Sequence, residues 1–185
     1  EEWTTRLVSE ELSANGHPTA TKTVAGSTPA SALANTLLAA ANRCRERREE
    51  LSLLIMEPNL SGGASAKARL ASQEARRALE NACGVLDSDS LSLVSLSESR
   101  TAAVMANCER RAAIAVAQSA IVELAKSFAA RSNAGNGPAA SVGIGIATAS
   151  VVPKNFDPGR MMECAVRCLS AARMSGASAV KSIEV

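Results

Sequence analysis

Leu91-Ser92-Leu93-Val94-Ser95-Leu96-Ser97-Glu98-Ser99-Arg100-Thr101-Ala102-Ala103-Val104-Met105 reads as two short apolar strands around a polar bend. The bend, Ser97 to Thr101, contains no glycine, asparagine or proline. A tight two-residue hairpin turn needs positive φ at its centre, which glycine and asparagine supply at little cost and serine and glutamate do not. The turn is therefore chemically unusual, and the elements around it decide what the hairpin belongs to.

Upstream of the hairpin, Leu51 to Met56 is a short apolar run followed by Glu57-Pro58-Asn59, which predicts a buried strand ending in a turn. Gly62-Gly63 loosens the connection to a helix expected over Lys67 to Ala82, with Leu70, Ala75, Ala78, Leu79 and Ala82 inward. Downstream, Cys108 to Phe128 carries Ile114, Ala117, Ile121, Leu124 and Phe128 at helical steps, and Asn133 to Pro138 reads as loop. Ala140 to Ala147 alternates Val142, Ile144 and Ile146 with serine and glycine, a strand whose glycine face must lie close to another element. Asp157-Pro158 opens a last helix bearing Met161, Ala165, Cys168, Leu169 and Ala172, with Gly176 as its C-terminal cap, and Ala179 to Val185 is a final strand.

Nearer the start, Thr28-Pro29 is a helix opening, with Leu33, Leu37, Ala41 and Cys44 on one face. Arg43, Arg45, Glu46, Arg47 and Arg48 form the other face, read as solvated rather than as a phosphate site. Trp3, Leu7, Val8 and Leu12 predict a short amphipathic helix within Glu1 to Ser13, and Asn15-Gly16-His17-Pro18 ends it. Residues 1–27 are thus expected to be a connecting helix and linker, and 28–185 one domain. The first residue is Glu1 rather than methionine, so the expectation is a domain within a larger protein.

The order is helix, strand, helix, two-stranded hairpin, helix, strand, helix, strand. It predicts an α+β fold: a ferredoxin-like or palm-type sheet of about five mainly antiparallel strands covered by helices.

Composition narrows the function. Aromatics are 2% of the 185 residues and the net charge is +2, which argues against a nucleic-acid binder. No apolar run is read as approaching the roughly 18 to 20 residues that cross a bilayer, and no signal peptide opens the chain, so a cytoplasmic domain is expected. The five cysteines, Cys44, Cys83, Cys108, Cys164 and Cys168, are an odd, scattered set and read as reduced small core residues. Cys164 and Cys168 share a helical face, but a metal needs further ligands and the single His17 is distant in sequence. There is no GxxxxGK[ST] or HExxH motif, and Gly143-Ile144-Gly145 lies inside a strand.

The segments carry a resemblance. ASVGIGIA at Ala140 to Ala147 resembles the VTVSIGIA strand of the GGDEF domain, the catalytic domain of bacterial diguanylate cyclases. AVRCLSAARMSGASAV at Ala165 to Val180 is similar to that family's closing AD-x-ALY-x-AK-x-x-GRN-x-V, and Leu51 to Asn59 to its strand ending in DxD. The separation of Glu57 from Ser97 is close to that between the family's first metal aspartate and its signature. The resemblance covers about residues 28–185 and implies a nucleotidyl cyclase-like fold. It further implies that two such domains would each bind GTP and join the pair into cyclic di-GMP, with metal neutralising the α-phosphate charge and activating the attacking hydroxyl.

The signature-equivalent residues depart from that chemistry. Ser97 and Glu98 stand where the signature glycines would be, and Ser99, Arg100 and Thr101 stand where the acid pair and phenylalanine would be. Arg100 would repel a divalent cation. Glu57 keeps a carboxylate at the first metal position, with Asn59 at the next acidic one, so the metal site is expected to be vestigial. The guanine-reading positions fall near Ser65 and near Gln73 or Glu74; Arg173 keeps the charge of the phosphate-binding lysine, and Ala177-Ser178 replaces Arg-Asn. The product-binding RxxD falls on Ser88 to Leu91 and lacks both its arginine and its aspartate.

The expectation is a catalytically inactive GGDEF-like domain serving as a signalling, regulatory or dimerisation module. No cofactor is expected, with Mg²⁺ relevant only to residual cyclase activity. Upstream sensor or regulatory domains and a second copy are the expected partners. The alternatives are a nucleotide sensor for GTP or cyclic di-GMP, in which Arg100 and Arg173 clamp phosphate without metal, and a purely structural palm-like domain.

Overall fold

The apolar run at Leu51 does not stop at Met56 but continues as strand β1 through Leu51–Leu60, the centre of the sheet. The computed structural model describes residues 28–60, 65–84, 90–132, 140–176 and 178–185. The other elements are α1 Pro29–Arg47, α2 Ser65–Cys83, β2 Leu91–Ser95, β3 Thr101–Ala106, α3 Arg110–Ser132, β4 Ala140–Ala149, α4 Pro158–Arg173 and β5 Ala179–Glu184. The sheet order is β2-β3-β1-β4-β5, antiparallel throughout except for the parallel β4–β5 pair. This is the α+β fold expected from the order of elements. The connecting helix and linker expected over residues 1–27, and the loop expected over Asn133 to Pro138, lie outside the described residues.

Side-chain alternation along β1 divides the core. Leu51, Leu53 and Ile55 point to one face, where they meet Leu33, Leu37 and Ala41 of α1 and Met161, Ala165 and Leu169 of α4. Leu54 and Met56 point to the other, against Ala75, Ala78 and Leu79 of α2 and Ala113, Ala117 and Leu124 of α3. A strand apolar on both faces must lie between two helical layers, because exposing either face would forfeit the transfer energy of its Leu and Ile side chains. Alanine on both α2 and α3 lets those helices approach closely.

Local chemistry sets the helix ends. Thr28 Oγ1 accepts from the Ser31 amide with Pro29 in the first turn, and Arg48 closes α1 in the left-handed region at φ 58°. Asp157 Oδ1 accepts from the Gly159 amide at 2.8 Å to open α4. Gly176, at φ 73°, donates its amide to Arg173 O just past the helix end. Arg110, at the start of α3, donates to the Ser182 hydroxyl and carbonyl, covering part of the edge strand β5.

Four expectations are corrected. Glu57-Pro58-Asn59 does not turn; β3 pairs with β1 only as far as Met56, so Pro58 sits where β1 has β4 alone as neighbour, an edge-like setting that tolerates a missing amide. Leu70, expected inward, is 45% exposed. The run Arg110–Ala129 in α3 is long and apolar enough to cross a membrane, contrary to the reading of the chain as lacking one. Its Ala113, Ala117, Ala120 and Leu124 are buried against the sheet and α2, while Val122 is 52% exposed. Finally, the hairpin is not tight, as its geometry below shows.

All five cysteines are free thiols, with Cys44, Cys83 and Cys108 buried and Cys164 and Cys168 half-buried. Burial pushes the Cys83 thiol up to about 12, with neighbouring Cys108 adding, and Cys108 up to about 11, with Glu109 and Glu50 adding. An unfolded thiol ionises around its ordinary value of 9.0, whereas these remain protonated well above it. The folded state therefore binds more protons between pH 9 and the raised values, and stability present below pH 9 falls as the pH rises through that window. The expected loss is about 1.4 kcal/mol per pH unit for each thiol. Urea unfolding at intervals from pH 8 upward should show it, and a Cys83→Ala/Cys108→Ala variant should show a shallower decline; equal slopes would refute the assignment.

Candidate functional site

Glu57 begins the site. It lies near the far end of β1, on the face shared with α1 and α4, and is 8% exposed. Its carboxylate Oε2 accepts from Arg100 Nε at 3.0 Å and from Arg173 Nη1 at 3.1 Å. The two guanidiniums are more open, with side-chain exposures of 31% and 41%.

Arg100 arrives through strand register. Met56 is opposite Thr101 in the β1–β3 pair, so the next step along both strands sets Arg100 beside Glu57. The bend that precedes it is a wide connection over residues 96–100, in which the Leu96 amide donates to Arg100 O at 2.9 Å. Ser97 Oγ accepts from the Ser99 and Arg100 amides at 3.3 and 3.2 Å. A serine hydroxyl thus takes over the turn-forming work, and the described residues with positive φ other than glycine are Arg48 and Asn107, neither in this bend. Ser99 and Ser97 also meet through their hydroxyls at 3.4 Å, Glu98 is exposed, and Thr101 is buried at the start of β3.

Arg173 arrives through helix packing. Glu57 is opposite Gly143 in the β1–β4 pair, and a Cβ built on Gly143 would stand 2.7 Å from Arg173 Cγ. The missing side chain is the passage by which Arg173, in the last turn of α4, crosses β4 to reach Glu57. Gly143→Ala is therefore expected to push Arg173 off the carboxylate. In that background, Arg173→Ala should cost almost nothing in stability, while in the wild type it should cost up to about 1 kcal/mol, the scale of a partly exposed pair. Equal costs in a double-mutant cycle would show that Gly143 does not control the contact.

The other expected positions are placed differently. Glu74, buried on α2, meets Arg77 Nη1 of its own helix at 3.7 Å and is not among the partners of the Glu57 cluster. Gln73 is exposed. The side chain of Ser65, together with Ser88, Asp89 and Ala177, lies outside the described residues. Ser178 Oγ accepts from the Val142 amide at 3.2 Å. Asn59 joins Ser170, Arg173 and Met174 around an open pocket of about 300 Å³ beside the cluster. The role of Gly143 is the piece that sequence reasoning missed; the alternation of glycine with Val142, Ile144 and Ile146 marked a close approach without saying what approached.

A divalent cation does not fit these residues. Mg²⁺ takes oxygen ligands, chiefly carboxylates. Here the one carboxylate of the locus already holds two cations, and Asn59 is neutral. Among the described residues no three His, Cys, Asp or Glu side chains come together as a metal site.

No protein-family profile matches the chain, and no curated protein matches it. Solved structures do. The GGDEF domain of DgcB from Caulobacter crescentus, in complex with c-di-GMP, aligns over 90% of this chain and 98% of its own, with TM-score 0.64 and 12% identity. The FimX GGDEF domain from Pseudomonas aeruginosa aligns over 82% and 90%, with TM-score 0.56 and 20% identity. LapD from Vibrio cholerae, an S helix-GGDEF-EAL chain bound to c-di-GMP, aligns over 82% of this chain and 34% of its own, with TM-score 0.53 and 12% identity. The chain has the fold of these GGDEF domains, the nucleotidyl cyclase-like fold that the resemblance of its segments implied.

Proposed function

We propose that this GGDEF-like domain does not condense GTP and acts as a regulatory or dimerisation module, in the cytoplasm and within a longer chain. The observation that supports this most is the pair of guanidiniums on Glu57 Oε2, which puts positive charge where metal-dependent phosphoryl chemistry needs a cation held by carboxylates. Removing both guanidiniums from the carboxylate would be required before a metal could take their place. Ser97 and Glu98 add side chains to a turn that in a cyclase would have glycine backbone against the nucleotide. The arrangement of LapD, with its GGDEF domain between an S helix and an EAL domain, supports reading this domain as one part of a multidomain signalling protein. The test is incubation with GTP and either Mg²⁺ or Mn²⁺, followed by chromatography for cyclic di-GMP. No product above the protein-free control is expected, and turnover would overturn the proposal.

A further inference from the structure

We infer that the free edge of β2 pairs antiparallel with β2 of a second copy of this chain, joining two five-stranded sheets across a dyad at Leu93. Such a contact supplies the dimer named in the proposed function and rests on that reading. The two outer strands of the sheet, β2 and β5, are finished differently.

β5 is guarded. Arg110 donates to the Ser182 carbonyl at 3.0 Å, filling an acceptor that an added strand would need, and Lys181 and Glu184 put charge on the strand. β2 has none of these devices. Leu91-Ser92-Leu93-Val94-Ser95 contains no charge, proline or glycine, and among the described residues it pairs with β3 and no other strand. Arg76 of α2 reaches β2, but it meets the Ser95 hydroxyl at 3.0 Å rather than the backbone.

Register identifies the groups left over. The Leu96 amide donates to Arg100 O, so Leu96 is a hydrogen-bonded position of the β2–β3 pair. Antiparallel strands alternate such positions, which turns the backbone of Ser92 and Val94 toward β3 and that of Leu91, Leu93 and Ser95 outward. An outward row of N–H and C=O groups is a template for another strand. In an antiparallel pair about Leu93, that residue faces its own copy and Leu91 faces Ser95 of the partner subunit, each pair exchanging both backbone hydrogen bonds.

The side chains suit the same dyad. Leu91 and Leu93 lie against the α2–α3 core and Val94 against the α1–α4 core, all only partly buried. The edge therefore leaves apolar surface on both faces, which a second copy covers with Leu93 on one and Ser92 on the other. Two uncharged strands meet without like-charge repulsion, and β2 offers no charge by which a charged peptide strand could be selected.

The experiment is sedimentation equilibrium of the 185-residue chain, with residue-resolved amide hydrogen exchange at the lowest and highest concentrations, about 10 μM and about 1 mM. A five-residue edge is small beside the roughly 1,600 Å² of a standard interface, so a dimer half formed near about 0.1 mM is expected. The weight-average mass should rise from 19.0 kDa toward twice that value. At the high concentration the Leu91 and Leu93 amides should exchange about fivefold more slowly, while those of Ser92 and Val94, already bonded to β3, should not change. Ser95→Pro removes an outward donor at two symmetric places and should weaken the dimer at least about tenfold. Ser95→Ala loses only the hydroxyl that Arg76 meets and should dimerise as wild type does. Circular dichroism checks that each variant is folded; if Ser95→Pro is not, the exchange pattern of the wild type decides alone.

Four outcomes overturn the inference. The chain may stay monomeric throughout, or a folded Ser95→Pro variant may dimerise as tightly as wild type. A dimer whose Leu91 and Leu93 amides exchange as fast as in the dilute sample makes its contact elsewhere. Protection of those amides at every concentration means that residues of the same chain already cover the edge. A monomer leaves the cyclase assay unaffected, and cyclic di-GMP production would overturn the proposed inactivity while leaving the edge pairing in place.

Discussion

Gly145→Ala is expected to lower the melting temperature by about 6 to 12 °C, the consequence of roughly 3 kcal/mol of lost stability in a domain of this size. A Cβ at Gly145 would meet the backbone of α4: the carbonyl oxygen of Ala165, the amide nitrogen of Leu169 and, at 2.8 Å, the Leu169 Cα. None of these can rotate away as a side-chain tip would. Relief requires the whole helix to lift from β4, and α4 buries Met161, Ala165, Leu169 and Ala172. Lifting it opens space between Leu53, Ile55 and Ala147 of the sheet and the helix side chains that now fill it.

Gly159→Ala is the control for the loss of glycine itself. The nearest atom a Cβ would meet there is Asp157 Oδ1, the end of a side chain, at 3.1 Å. That variant should melt within about 2 °C of wild type. If Gly145→Ala melts as close to wild type as the control does, the direct packing of α4 on β4 is wrong. The same lift would carry Arg173 away from Glu57, so the packing at Gly145 and the ion pairs at Glu57 are expected to fail together.

Arg100→Glu should have the next largest effect, and its signature is chemical as well as energetic. The change sets two carboxylates side by side across β1 and β3, with Arg173 as the remaining cation. A fully buried broken pair costs about 3 to 5 kcal/mol, but Arg100 is 31% exposed and solvent screens part of the repulsion, so a loss of about 2 kcal/mol is expected. Divalent cation should then recover stability in the variant, because paired oxygens are what Mg²⁺ and Mn²⁺ bind. At a metal concentration ten times the Kd the recovery is about 1.4 kcal/mol. Thermal melts with increasing Mn²⁺ should shift upward for the variant and stay level for wild type. Equal shifts in both proteins would mean that the arginines do not keep metal out of this locus.

Much of this architecture was legible in the residues. The capping groups at Thr28-Pro29 and Asp157-Pro158 placed two helix starts correctly, because a cap is a local arrangement of one side chain and nearby amides. Leu70 shows where that reasoning weakens. It sits in an apolar-looking run, but α2 is covered on one side only, and periodicity alone does not say where the covering ends. Pro58 shows a second limit: proline ends a strand where the neighbour on its amide side needs that donor, and here β3 had already stopped pairing. The bend at residues 96–100 shows a third, since the absence of glycine marked it as unusual while the Ser97 hydroxyl that makes it possible acts only once the chain has folded back.

The candidate site divides along the same line. The sequence by itself determined the order and type of the elements, a bend at Ser97 to Thr101 without glycine, asparagine or proline, and a lone carboxylate, Glu57, after the apolar run of β1. Those are properties of neighbouring residues and of repeating patterns. Only the tertiary structure decided that Arg100 and Arg173 share an oxygen of Glu57, and that Gly143 lets one of them through. The partners are 43 and 116 residues from Glu57 along the chain. Their meeting depends on strand register and on the height of α4 above the sheet, and both are set by how the whole core packs.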